Sequence, residues 1–174
     1  MKSILIIFLT MFTILGCSSK KLNSYQNNTP KLDLRHFLNG KTKAWGIVED
    51  FNGKITKRFV VEMQTTWNGN KGELVEHFSY DDNTTSKRIW YIEYNENNTF
   101  TAKAEDVIGT AKGVQSGNAL QINYTLKLPV GNKTYNVKLD DWMYQIDENT
   151  LMNKSDIKKF GITVAKLTIF FQKQ

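Results

Sequence analysis

Charged residues that keep step with the apolar positions of a β-strand fold inward with its hydrophobic face, and there they either do chemistry or cost stability. Glu76 lies between Leu74 and Phe78, Arg88 precedes Trp90 and Ile92, Asp106 follows Phe100, Ala102 and Ala104, and Asp141 lies between Leu139 and Met143. Lys57 and Lys166 fall in the apolar phase of less regular segments. Two readings of this set stand side by side. In one, the charges neutralise each other, with Arg88 pairing Glu76 across neighbouring strands. In the other, they surround the polar head of a ligand whose apolar part fills a pocket lined by Phe59, Trp90, Phe100, Tyr124 and Met143. Arg88 or Lys166 would then meet an acidic head.

Other constellations are weaker. Glu49-Asp50, Asp81-Asp82 and Glu105-Asp106 end alternate strands, which gathers them at one rim of a meander. Paired carboxylates hydrolyse glycosides, and a carboxylate rim holds calcium. Adjacent strand residues point to opposite faces, however, and Asp81-Asp82-Asn83 lacks the alternate spacing and glycine of a calcium loop. Ser116-Gly117 is not embedded in Gly-x-Ser-x-Gly, and neither His36 nor His77 has a triad context. Two histidines and one cysteine do not make a zinc set. The expectation is a protein that is not an enzyme, with no catalytic residue, metal or cofactor.

The elements that must position these residues are strands. Hydrophobic residues make up 40% of the 174 and aromatics 12%, with only two prolines, which is the composition of one globular domain. The net charge of +6 is spread over single or paired basic residues, without the basic helix or aromatic stripe of a nucleic-acid binder. A short helix is expected over Asp33–Asn39, stopped at Gly40. Beyond it the period is two. Trp45, Ile47, Glu49 and Phe51 alternate, Asn52-Gly53 turns the chain, and Ile55 to Trp67 forms a long second strand. Further alternating runs end at Tyr80, Tyr94, Asp106, Gln115, Leu128 and Met143, with a turn expected near Gly109, and two more strands lie around Leu151 and over Ile162–Phe171. Trp142, beside inward Asp141, should face outward under a loop or a partner. About ten short-linked strands with open edges must close, so the predicted fold is all-β, an antiparallel up-and-down lipocalin-like barrel with a short N-terminal helix.

The N-terminus carries an address. Lys2 and the apolar run Ile4–Leu15 match a secretory signal and are too short to span a bilayer. Ile14-Leu15-Gly16-Cys17 has the form of a bacterial lipobox, and Cys17 is the single cysteine. Residues 1–16 are read as a lipoprotein signal peptide, Cys17 as the lipid-attachment site, 17–30 as a flexible tether of about 20 Å reach, and 31–174 as the barrel domain. Two or more acyl chains anchor stably where one is marginal. The one cysteine leaves no disulfide for the domain.

Ala44-Trp45-Gly46, Tyr80-Asp81-Asp82, Asp106-Val107-Ile108-Gly109-Thr110-Ala111, Leu128-Pro129-Val130, Asp140-Asp141-Trp142-Met143 and Lys159-Phe160-Gly161 occur in this order. Over about Leu32 to Phe171 the chain resembles a family of uncharacterised Gram-negative lipoproteins. The resemblance implies a domain facing the periplasm and carries no activity with it. Ser18 after the cysteine resembles the outer-membrane sorting signal of such proteins. The function expected is that of a lipid-anchored protein of the cell envelope that binds a lipid or other amphiphile in its lumen. The alternative is a structural or assembly accessory that binds no ligand, its barrel solidly packed, acting through contacts with an envelope protein partner.

Overall fold

Ten antiparallel strands, each hydrogen-bonded to its neighbour in sequence, wind around an apolar centre, and the first strand pairs with the last. The computed structural model describes residues 22–95 and 97–174. The signal segment, Cys17 and the start of the expected tether lie outside the described residues. The strands are β1 (Gly40–Asp50), β2 (Ile55–Asn68), β3 (Lys71–Tyr80), β4 (Thr85–Tyr94), β5 (Thr99–Lys103), β6 (Val107–Ser116), β7 (Ala119–Val130), β8 (Lys133–Gln145), β9 (Thr150–Lys159) and β10 (Ile162–Lys173). The up-and-down barrel read from the alternation is therefore the fold, and its closure leaves no free sheet edge. Among the described residues no helix is long and apolar enough to cross a membrane.

One end of the barrel is plugged. Helix α1 (Leu34–Leu38) starts at Asp33, whose carboxylate accepts from the His36 backbone N–H at 2.9 Å. It turns Leu34, Phe37 and Leu38 into the barrel. Its carbonyl end is held by Lys173 at the far end of β10, whose Nζ donates to the carbonyls of His36 at 2.6 Å, Phe37 at 3.1 Å and Asn39 at 3.3 Å. The opposite end is ringed by the five hairpins that leave the odd-numbered strands. Three neighbouring tips there carry bare apolar side chains: Phe51 and Ile55, Val130, and Phe160 with Ile162. Phe160 is 92% exposed and Phe51 78%.

The chain before α1 is not free over its described part. Leu22–Tyr25 forms a single 3-10 turn, and the Tyr25 ring packs on Trp142 at 6.1 Å and on Tyr144 at 5.6 Å. Leu32 then donates its backbone N–H to Gly117 at 2.8 Å. Within the segment read as a tether, the 3-10 turn packs against β6 and β7, and its Tyr25 ring lies over the outward-facing, buried Trp142.

Three local phases differ from the alternation read in the sequence. In β1 the inward residues are Ala44 and Gly46, while Trp45 faces out and packs on Phe170. The Phe59 ring occupies the space over Gly46, where a Cβ would come within 2.1 Å of Cζ. Gly109 is not a turn: it lies inside β6 at a bulge, with φ +73°, and the β5–β6 turn falls earlier, at residues 104–106. In β10 the register slips between Thr163 and Ala165, so Ala165, Leu167, Ile169 and Phe171 face inward. Lys166 consequently points out to solvent and is not a lumen residue. The exposed Ile162, Val164 and Phe170 had set the opposite phase.

Candidate functional site

Alternation on β2, β3, β4, β7 and β8 brings Phe59, Glu76, Arg88, Trp90, Tyr124, Asp141 and Met143 to one lumen, with Phe100 from the short β5. They enclose a cavity of about 150 Å³ between the α1 plug and a layer of polar side chains. The apolar wall explains itself by burial. Trp90 and Tyr124 meet edge to face at 5.5 Å, a geometry that suits the aromatic quadrupole. The Phe100 ring lies over Gly113, where a Cβ would meet it at 2.1 Å.

The polar layer has two halves on facing walls. On the first, Glu76 and Arg88 are direct cross-strand partners. Arg88 Nη1 approaches Glu76 Oε2 at 3.9 Å, and its Nε and Nη2 donate to Asp106 Oδ2 at 3.0 and 2.6 Å. Asp106 is thus a turn residue reaching back to Arg88, and it does not line the cavity. Trp90 donates its indole N–H to Glu76 Oε2 at 3.2 Å. On the second half, Tyr124 donates its hydroxyl to Asp141 Oδ2 at 2.9 Å, and Asn153 donates its amide to Asp141 Oδ1 at 3.0 Å and to the Trp142 carbonyl at 3.2 Å.

Burial dominates the electrostatics of both halves. It pushes the Glu76 carboxyl up to about 7, against the pull of Arg88 and the Trp90 hydrogen bond, while Asp106 and Asp141 push the same way as burial. Burial also raises Asp141, in spite of the donors Asn153 and Tyr124. Tyr124 is raised well above its ordinary value by burial and by Asp141, so its hydroxyl remains a donor. Burial opposes the Arg88 charge, but Glu76 and Asp106 outweigh it and hold the guanidinium protonated.

The sequence missed the plug residues Phe37 and Leu38 and the β9 contribution. Asn153 and Ser155 stand inward between Leu151 and Ile157, and Asn153 is 1% exposed. Its Oδ1, the Ser155 hydroxyl, and the hydroxyls of Thr42 and Thr65 are buried without a hydrogen-bond partner among the described residues. The signal was present as the equal parity of positions 151, 153, 155 and 157, masked by two polar side chains in the middle. Lys57, in the inward phase of β2, sits above the cavity with Nζ 4.5 Å from the Tyr80 ring, and it is exposed.

The rim acids serve their own turns. Asp50 accepts from the backbone N–H groups of Asn52 and Lys54. Asp81 pairs with Arg58 at 3.1 Å, and that hydrogen bond holds its carboxyl below the usual range. Asp82 is held low by the Thr84 hydroxyl. Among the described residues no group of three His, Cys, Asp or Glu is placed to hold a metal ion.

Fold and site together define a closed up-and-down barrel with a small, mostly apolar central cavity crossed by a polar layer. The chain belongs to the DUF3833 family of proteins of unknown function, which it matches over residues 11–173. No curated protein matches it. Among solved structures, a DUF3598-family protein of unknown function from Nostoc punctiforme PCC 73102 superposes with a TM-score of 0.56 at 9% identity, over 83% of this chain and 50% of that one. The chain thus spans half the length of that protein, and the likeness concerns the fold alone. A barrel described as EF1p2_mFAP2b bound to DFHBI aligns with a TM-score of 0.43 at 12% identity, over 79% of this chain and 94% of that one. That likeness is too distant to bear on this lumen.

Proposed function

We propose that this protein is a lipid-anchored lipoprotein of a Gram-negative cell envelope, facing the periplasm, whose barrel binds a small amphiphilic molecule and catalyses no reaction. The observation that carries the binding role is the cavity: about 150 Å³ of apolar space closed below by α1 and bordered by polar groups on two facing walls. An apolar cavity of that order takes up a benzene-sized molecule. The apolar part of the ligand is therefore compact, and a full diacyl lipid does not fit while α1 is in place. The anchoring role rests on the Ile4–Leu15 run and on Cys17 after Gly16.

Native mass spectrometry of the purified protein tests the first role, with a stoichiometric small molecule released on denaturation as the expected result. Repeated recovery of an empty barrel from its native host would sink it. For the second role, labelled palmitate should enter the wild type and not Cys17→Ser, and the variant should leave the outer-membrane fraction. Equal labelling of both proteins would refute lipidation at Cys17.

One observation favours the alternative of an accessory that works through protein contacts. The three adjacent hairpin tips with Phe51, Val130 and Phe160 leave apolar surface bare at the end away from α1. Under that reading the purified barrel carries no stoichiometric ligand, and Phe51→Ser with Phe160→Ser abolishes the cellular role without changing the fold.

A further inference from the structure

The hydrogen-bond inventory of the lumen is unbalanced. The donors of the side chains that line the cavity are engaged: Trp90 Nε1 on Glu76, the Tyr124 hydroxyl on Asp141, the Asn153 amide on Asp141 and the Trp142 carbonyl, and the Arg88 Nε and Nη2 on Asp106. The unpaired Thr42, Thr65 and Ser155 hydroxyls lie outside that lining. Arg88 Nη1 is turned towards Glu76. Acceptors are left over. Asn153 Oδ1 is buried at the cavity wall without a partner, and Glu76 Oε1 accepts from no group among the described residues. The charges lean the same way: the carboxylates of Glu76 and Asp141 line the cavity, and the one guanidinium there, that of Arg88, is already bonded to Asp106 behind it. An acidic head would meet a committed arginine and two carboxylates, so the complementarity expected from Arg88 in the sequence is reversed.

We propose that the lumen ligand is a small cationic amphiphile, a compact apolar group bearing an amine, whose N–H donors satisfy Glu76 Oε1 and Asn153 Oδ1. The inference rests on the reading of the barrel as a binding protein and names the chemistry of its head. Size sharpens it. The cavity holds the apolar group and the amine together, so the two are adjacent in the ligand. A glycerophospholipid, whose ammonium is separated from its acyl chains by a phosphodiester, does not meet that description. Binding should also depend on pH. Glu76 faces Arg88 from β4, Asp106 from the β5–β6 turn, Tyr124 from β7 and Asp141 from β8. With its carboxyl pushed up to about 7, it offers a full negative charge to an ammonium only on the alkaline side of neutrality.

Calorimetric titration of the full-length protein with benzylamine, toluene and benzoate, which share one ring and differ in the head, tests the assignment. Benzylamine should bind at least tenfold more tightly than either of the others at pH 8, and should weaken towards pH 6. Glu76→Gln should cut benzylamine affinity about tenfold and flatten its pH profile while toluene binding stays as it was. The toluene titration reports an intact cavity in the variant. Benzoate binding as tightly as benzylamine, or benzylamine binding no more tightly than toluene, overturns the cationic head and leaves a ligand-binding lumen standing. Failure of all three probes to bind overturns the lumen reading with it.

Discussion

Glu76 makes the stability of the empty barrel depend on pH in a direction opposite to that of most carboxylates. Its folded-state pKa is raised from 4.5 to about 7, so between those values the folded protein holds a proton that the unfolded chain releases. The group's stabilising contribution is complete below pH 4.5 and is lost as pH rises through 7. The span corresponds to about 3 kcal/mol. Asp141 is shifted in the same direction. Thermal unfolding should therefore fall by roughly 6–12 °C between pH 5 and pH 8, and Glu76→Gln should remove most of that slope by stabilising the protein at pH 8. A melting temperature that rises over this interval would contradict the assignment. Arg88→Met is expected to act on folding first, because it strands Glu76 and Asp106 without their cation. At 25% exposure of the arginine the cost belongs at the low end of that for a broken buried pair, about 3 kcal/mol, read by denaturant unfolding. An unchanged midpoint would show that the Arg88 ion pairs do not hold the fold.

Elements decide how well the site could be read from the chain. Where one strand carries a clean alternation, as Leu120 to Leu128 does, its inward face follows from parity alone, and Tyr124 was placed correctly. Parity fails at irregularities. The slip between Thr163 and Ala165 inverts the phase of β10 and turns Lys166 outward, and the Gly109 bulge reads as a turn in sequence because both ask for a positive φ here. The pairing of Glu76 with Arg88 was legible because it needs only two neighbouring strands. The meeting of Asp141 with Asn153 and the roof over Trp142 were not, since they depend on side-chain reach and on where residues 22–30 run. Two substitutions test the element-level account. Lys173→Met should cost about 1–2 kcal/mol by freeing three helix carbonyls, with faster amide exchange confined to residues 34–39. Gly46→Ala drives a methyl into the Phe59 ring and should cost about 1–3 kcal/mol in denaturant unfolding. Protection unchanged in α1, or an unaffected Gly46→Ala midpoint, would show that these contacts do not hold the plug and the wall.

At the scale of the whole molecule, the two ends are unlike. One is stoppered by α1, and the other shows apolar hairpin tips. Phe51→Ser with Phe160→Ser should leave the melting temperature within about 1 °C, since neither side chain is in the core; a larger shift would show that the tips brace the rim. The seam between β1 and β10 has a different consequence. The pairing joins Thr42 to Lys173 and Asp50 to Ala165, so the barrel wall is complete only when the last strand is in hand. During synthesis from the N-terminus, nine strands can assemble as a meander while β1 and β9 still offer unpaired backbone to any passing strand. Both raw edges are therefore sealed together, by the same strand, in a single late step.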